Sequence, residues 1–414
     1  MNVKRVMQAA LLCFVVACSK QEVKQATQKA KAKVQDAFDV AVPIGKDDPA
    51  GREKERFDEN WRKLRGFSND NKPATPPAAP QPKPVEVQVQ FAPNGKESFK
   101  GLDANAINIA PVVIPIKGDV AGPSVLKTQV YLDRLHFSIG ALDGRWGRNS
   151  AISLWWYQRS RGIQAAEAGA VDEATFRALA NETAGAPALV QHTLTDDDVK
   201  GPFESIPDDV YEKEKLDCLC YESKAEKLAE RFHSTIEFLE QLNPDVKLSE
   251  VNAGQSLWVP NVREALTQDR PDIARIVVSI RGNTFNAFDA AGNLVFHAPT
   301  TLGSKYDPSP NESTDVRKIT FDPHFHYQPT LFHEVPDSDP EANLAPGPNS
   351  PVGVVWIALG KPHFGIHGTS DPDSIGYASS HGCVRLTNWD AQEVGHRVAP
   401  GVTVEFLDTV RDSG

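Results

Sequence analysis

The segment His363-Phe-Gly-Ile-His367-Gly-Thr369 is followed, after a loop, by Ser379-Ser380-His381-Gly382-Cys383-Val384-Arg385. Cys383 stands between a glycine and a small hydrophobe, with His381 two residues before it and His367 sixteen residues upstream. The thiolate is the nucleophilic form of cysteine, so a nearby imidazole is the usual activator. No other cysteine lies in the last third of the chain, which reads as a reactive thiol. Gly368 to Ser379 is rich in Asp, Ser, Gly and Pro, the composition of a loop. A chain that leaves one element at His367 and returns at His381 can set imidazole and sulfur face to face. Gly382 lets a backbone N–H approach a reacting carbonyl, as an oxyanion hole requires. The plain alternative is an inert buried cysteine among surface histidines. The full string, with His-Gly-Thr upstream, favours chemistry.

At these residues the chain resembles the L,D-transpeptidases of the YkuD type. Their motif is a histidine, a variable loop, then Ser or Thr, His, Gly and Cys, with Arg or Asn two beyond the cysteine. The resemblance runs roughly from Asp272 to Asp408. It implies that Cys383 is the nucleophile and His367 the proton acceptor and donor. It also implies that the carbonyl of Gly368 orients the imidazole in place of a carboxylate. The N–H groups of Gly382 and Cys383 would receive the oxyanion, Arg385 would face a substrate carboxylate, and Ser380 and His381 would shape the pocket. Some members add a tyrosine to the oxyanion hole; Tyr306, Tyr327 and Tyr377 offer no clear counterpart. No cofactor is implied. The substrate would be peptidoglycan stem peptides, with transfer of the acyl group to an amine. A hydrolase on the same scaffold and a non-catalytic wall-binding lipoprotein are the other two readings, and the intact His367–Cys383 pair counts against the last.

The elements that must hold these residues read as a mainly-β catalytic domain over 270–409, a YkuD-like β-sandwich within a multidomain chain. Val277–Ile280, Phe285–Phe288, Val295–Ala298, Val354–Ala358 and Val402–Phe406 are short β-branched runs divided by Gly, Asn and Pro turns. Ser304 to Ser350 is heavy in Pro, Asp and His and too long to be an idle connection, so it reads as a lid or insert. Its His324, His326 and His333 lack the helical ligand spacing of a metal site, so no metal is assigned.

Upstream, 123–182 is a compact helical unit with Val130, Leu132 and Leu135 at helical spacing, Asn149 and Asp172 as candidate helix caps, and Trp155 and Trp156 read as core before ligand platform. Its order of motifs resembles a peptidoglycan-binding domain 1 module. The stretch 205–262 resembles a degenerate LysM module of small α+β type: helices over Lys224–Phe232 and Thr235–Leu242, then a strand in Gly254–Asn261. A helical linker with one strand is the alternative. Residues 85–122 carry strand-like runs, Val87–Phe91 and Ile107–Ile116, without an assigned partner.

The chain has 414 residues, enough for two or three domains. Its net charge of −11 argues against nucleic-acid binding. Lys4 and Arg5 precede an apolar run to Ala17, the order of a secretory signal over 1–17. Val15-Val16-Ala17-Cys18 resembles a lipobox in which Cys18 takes lipid. Ser19 after it favours the outer membrane by the same analogy, so a periplasmic, membrane-anchored enzyme is expected. Polar and then Pro-rich sequence over 18–84 reads as a tether. Cys218 and Cys220 look too close in sequence to bridge each other easily and are read as structural or incidental.

Overall fold

The computed structural model describes residues 84–92, 99, 103–304, 307–310, 312–332 and 334–407. The signal segment, Cys18 and the tether up to Lys83 lie outside these, as do Tyr306 and His333. Among the described residues no helix is long and apolar enough to cross a membrane. Val89–Phe91 (β1) and Val112–Ile114 (β2) pair in parallel on either side of helix Ala104–Ile109 (α1). The strand expected over Ile107–Ile116 is therefore split. Asp103 accepts from the Ala106 N–H and caps the helix, which claims the first half of that run.

Three helices follow, Pro123–Arg134 (α2), Arg148–Arg161 (α3) and Glu173–Glu182 (α4). Asp172 caps α4 as its spacing suggested, accepting from Thr175 N–H at 2.8 Å. Asn149 does not cap α3. Gly147 holds that position, and the Asn149 amide donates instead to the Ile375 carbonyl at 3.0 Å, in the loop between His367 and Cys383. Trp156 is buried against His297, with ring centroids 5.8 Å apart, and Trp155 meets Trp156 edge-on.

Leu189–Thr193 (β3) and Ser256–Pro260 (β4) form an antiparallel pair enclosing Asp196–Val199 (α5), Val210–Lys213 (α6), Lys224–Arg231 (α7) and Ile236–Leu242 (α8). Leu194, Leu228, Leu239, Leu257 and Val259 make the core of this unit. It starts upstream of the expected boundary at 205, because the partner of its closing strand lies some sixty residues away. Cys218 and Cys220 are joined by a disulfide, against expectation. The chain bends between them, bringing their Cα atoms to 5.2 Å, an ordinary separation for a bridge.

The rest of the described chain contains Arg275–Ser279 (β5), Thr284–Phe288 (β6), Leu294–Pro299 (β7), Leu302–Gly303 (β8), Thr314–Phe321 (β9), Phe325–Tyr327 (β10), Ala342–Leu344 (β11), Val355–Leu359 (β12), Gly365–His367 (β13), Ser379–Ser380 (β14), Val384–Arg385 (β15), helix Asn388–Arg397 (α9) and Thr403–Leu407 (β16). Eight strands form one mixed sheet in the order β15-β13-β12-β9-β16-β5-β6-β7. The expected two-sheet sandwich is thus a single sheet. Strand twist curls it, so that Phe285 and Phe296 from one end share a core with Ile357, Ile366 and Val384 from the other. Ala391 and Val394 of α9 close that core. β9 lies mid-sheet although its residues fell within the expected lid. Of its eight residues only Val316 is fully buried, so charged neighbours mask its alternation.

The upstream units pack directly on this sheet. His136 to Ser138 run along β7, with Ser138 N–H donating to His297 O at 2.8 Å and His297 N–H to His136 O at 2.9 Å. Arg263 is buried at the junction, its guanidinium held by Asp133 of α2 and by Asp390 and Glu393 of α9. The antiparallel β10–β11 pair of the insert packs on Leu219 and on the segment around the disulfide.

Candidate active site

β13 and β15 are parallel neighbours, with Ile366 opposite Val384 and His367 opposite Arg385. This register brings the two motif segments together. His367 is buried and stacks on Trp356, its cross-strand partner on β12, with centroids 5.4 Å apart. Its Nδ1 lies 2.7 Å from the Gly368 carbonyl, so Nδ1 carries the proton and Nε2 is left as an acceptor. Burial, then the Arg385 charge, pull this imidazole down to about 3, against which the Gly368 hydrogen bond acts. His367 is neutral at pH 7. Burial pushes the Cys383 thiol up, opposed by a backbone hydrogen bond at Gly365 and by Arg385. The resting pair is a thiol and a neutral imidazole, a poised base rather than a standing ion pair.

Cys383 is half-buried, and its Sγ lies 3.6 Å from the His363 carbonyl. Among the described hydrogen bonds none joins the sulfur to His367. His363 itself has φ +63°, a left-handed backbone that aims its carbonyl inward. Gly382 has φ +103°, and a Cβ there would fall 2.7 Å from the Phe364 ring. Glycine is required at that position on both counts. The Gly382 N–H donates to Ser380 Oγ at 3.2 Å, and Ser380 Oγ donates to the Cys383 carbonyl at 2.7 Å. Ser380 therefore braces the turn under the sulfur. The Cys383 N–H makes none of the hydrogen bonds found among the described residues.

Arg385 is half-buried, and its Nε has no hydrogen-bond partner among the described residues. The His381 Nε2 pairs with Glu334 Oε1 at 2.6 Å, and its ring meets Phe332 edge-on. It ties the motif to the insert. Tyr327 packs among Tyr211 and Phe332, and Tyr377 lies against Gly147 at the start of α3. His326 pairs with Glu341. Sequence reasoning missed Trp356, the His363 carbonyl and Asn388. Asn388 is a buried amide directly after the cap of α9. Its closeness to the cysteine strand was the one available signal.

A curled, mainly-β sheet thus carries a backbone-oriented imidazole on β13 and a thiol at the entry to the adjacent β15. The YkuD family model, the L,D-transpeptidase catalytic domain, matches residues 273–406. The YkuD protein of Bacillus licheniformis is 32% identical over 183 residues, covering 44% of this chain and 92% of the relative. The chain belongs to the YkuD family of L,D-transpeptidases. YkuD of Bacillus subtilis is 45% identical over 62 residues, and YbiS of Escherichia coli K12 is 40% identical over 62 residues. Those two matches cover 15% of this chain and only 38% and 20% of the relatives' lengths. Among solved structures, L,D-transpeptidase 3 of Mycobacterium tuberculosis is similar at 18% identity and a TM-score of 0.28, over 38% of this chain and 77% of that one. An L,D-transpeptidase from Mycobacterium smegmatis is similar at 19% identity and the same TM-score, over 38% and 75%.

Proposed function

We propose that the chain is a cell-wall L,D-transpeptidase working through an acyl-enzyme on Cys383. The Cys383 Sγ attacks the carbonyl that joins the L-centre of meso-diaminopimelate to a terminal D-Ala in a peptidoglycan stem. His367 Nε2 takes the thiol proton as the C–S bond forms and returns it to the departing D-Ala nitrogen as the C–N bond breaks. An acceptor amine then attacks the thioester, its proton passing to His367 and on to the leaving thiol. The Cys383 N–H faces the oxyanion, joined by the Gly382 N–H if it leaves Ser380. Arg385 faces a substrate carboxylate. The observation that carries this reading is the neutral His367, with Nδ1 fixed on Gly368 O and Nε2 free to accept, on the strand beside Cys383.

In the same reading the helical unit 123–182 and the LysM-like unit 205–262 hold peptidoglycan, and Cys18 carries lipid that anchors the enzyme in the periplasm. The test is to incubate purified chain with sacculi and an amine acceptor, digest the wall and weigh the fragments. Cross-linked or amine-substituted stems are expected from the wild type and none from Cys383→Ala. Shortened stems alone would mean that water is the acceptor and that the chain is a hydrolase. Unchanged product from Cys383→Ala would overturn the assignment. Lipid mass on the N-terminal fragment, lost in Cys18→Ala, tests the anchor separately.

A further inference from the structure

Asn388 and Glu230 have no place in the chemistry described so far, yet both converge on it. The Asn388 Oδ1 accepts from Thr369 N–H at 3.1 Å and from Val354 N–H at 3.3 Å. The Thr369 N–H and the Gly368 C=O are two ends of one planar peptide. That carbonyl is the acceptor for His367 Nδ1 at 2.7 Å. The asparagine thus grips one end of the peptide and the imidazole the other. The grip is close: a Cβ on Gly368 would fall 2.1 Å from Asn388 Oδ1.

The other face of the amide sets its orientation. Asn388 Nδ2 donates to Glu230 Oε1 at 2.6 Å and to the Pro348 carbonyl at 3.1 Å. With two N–H donors on Oδ1 and two acceptors on Nδ2, only one amide orientation satisfies all four partners. Glu230 comes from α7 of the β3–β4 unit, 158 residues away, and receives a second hydrogen bond from the Tyr221 hydroxyl at 3.2 Å. Hydrogen bonds linked in series polarise and stiffen one another in a low-dielectric interior.

We infer that Asn388 is a positioning residue for His367, acting through the Gly368–Thr369 peptide, and that Glu230 of the β3–β4 unit holds Asn388 in place. The inference rests on His367 being the base. It makes the upstream unit a working part of the reaction centre and gives the chain a carboxyl–amide–peptide–imidazole relay.

The test uses the full chain with a soluble tetrapeptide donor and an amine acceptor. Glu230→Ala is expected to lower kcat about tenfold with KM within about twofold, the effect of losing one buried hydrogen bond to a reacting unit. Glu230→Gln, which keeps an acceptor for Asn388, should recover most of that loss. The His367 Nδ1–H proton resonance should exchange faster in Glu230→Ala and return to its wild-type behaviour in Glu230→Gln. Should Glu230→Ala fail to fold, Tyr221→Phe, which strips one bond from the same carboxyl, carries the same two readouts. A folded Glu230→Ala with unchanged kcat and resonance, or a Gln variant as slow as the Ala variant, overturns the relay alone. Full turnover by His367→Ala overturns the base assignment, and the relay with it.

Discussion

His367, buried and held at about 3, cannot serve as a standing imidazolium partner for a thiolate, and burial pushes Cys383 up. Alkylation of Cys383 by iodoacetamide should therefore climb with pH to above the ordinary thiol range, with no shoulder between pH 5 and 7. A plateau at low pH would show a preformed ion pair. Turnover in His367→Ala should fall by roughly 10² to 10⁴, the range for losing a general base. Gly382→Ala should fail for another reason: its methyl meets Phe364 in a left-handed backbone. That strain should cost about 1–2 kcal/mol in a denaturant melt and displace the sulfur. Cys383, His367, Gly368, Gly382 and Ser380 could all be singled out in the sequence because one short string and its upstream histidine contain them. Asn388 and Glu230 could not, since their meaning lies in a contact spanning 158 residues.

Glu230 also reports on the joint between α7 and α9. Burial pushes its carboxyl up to about 8 from an ordinary 4.5, against the hydrogen bonds from Asn388 and Tyr221 and with the help of nearby Glu226. A group whose folded pKa is raised contributes fully below the unfolded value and loses that contribution as pH rises to the folded one. The window here is about pH 4.5 to 8. Glu230→Gln never ionises, so its melting temperature should gain on the wild type as pH rises through that window, at up to about 1.4 kcal/mol per pH unit. A constant difference across the window would show that Glu230 is already ionised. In the helical unit, Trp156→Ala should destabilise by about 3–5 kcal/mol without weakening the folded protein's attachment to sacculi, because the ring packs on His297. Five strands of the sheet were legible from their β-branched runs. β9 was not, because its exposed face is charged, and neither was the pairing of β3 with β4 across the intervening helices.

At the scale of the molecule, Arg263 bridges three buried carboxylates contributed by two units, with Arg397 reaching Glu393 from the far side. Arg263→Ala removes the cation shared by all three, leaving Glu393 to Arg397 and Asp133 to His233, and should cost about 3–5 kcal/mol in a urea melt. A chain starting at Arg270 loses Asp133 and Arg263 together and also uncovers the β7 edge. It should be insoluble or aggregate, and soluble and insoluble substrates should be affected alike. Retained activity on a soluble tetrapeptide would show instead that the upstream units act only by raising local concentration at the wall.

The bond from Ser138 Oγ to Asp390 Oδ2 at 2.7 Å spans 252 residues. Helices α2 and α3 leave the ribosome long before their partners on α9 exist. Until then Asp133 can meet only Arg263 and His233, without the Trp389 ring that stacks on His233 or the α9 carboxylates that share Arg263. Contacts closed over such distances form late, since the loop entropy comes before the reward. Synthesis through α9 therefore acts as the trigger for the whole assembly: Cys383 emerges just before the helix that locks the upstream units into place. A chain cut short just before α9 has Cys383 but lacks the partners that lock the upstream units.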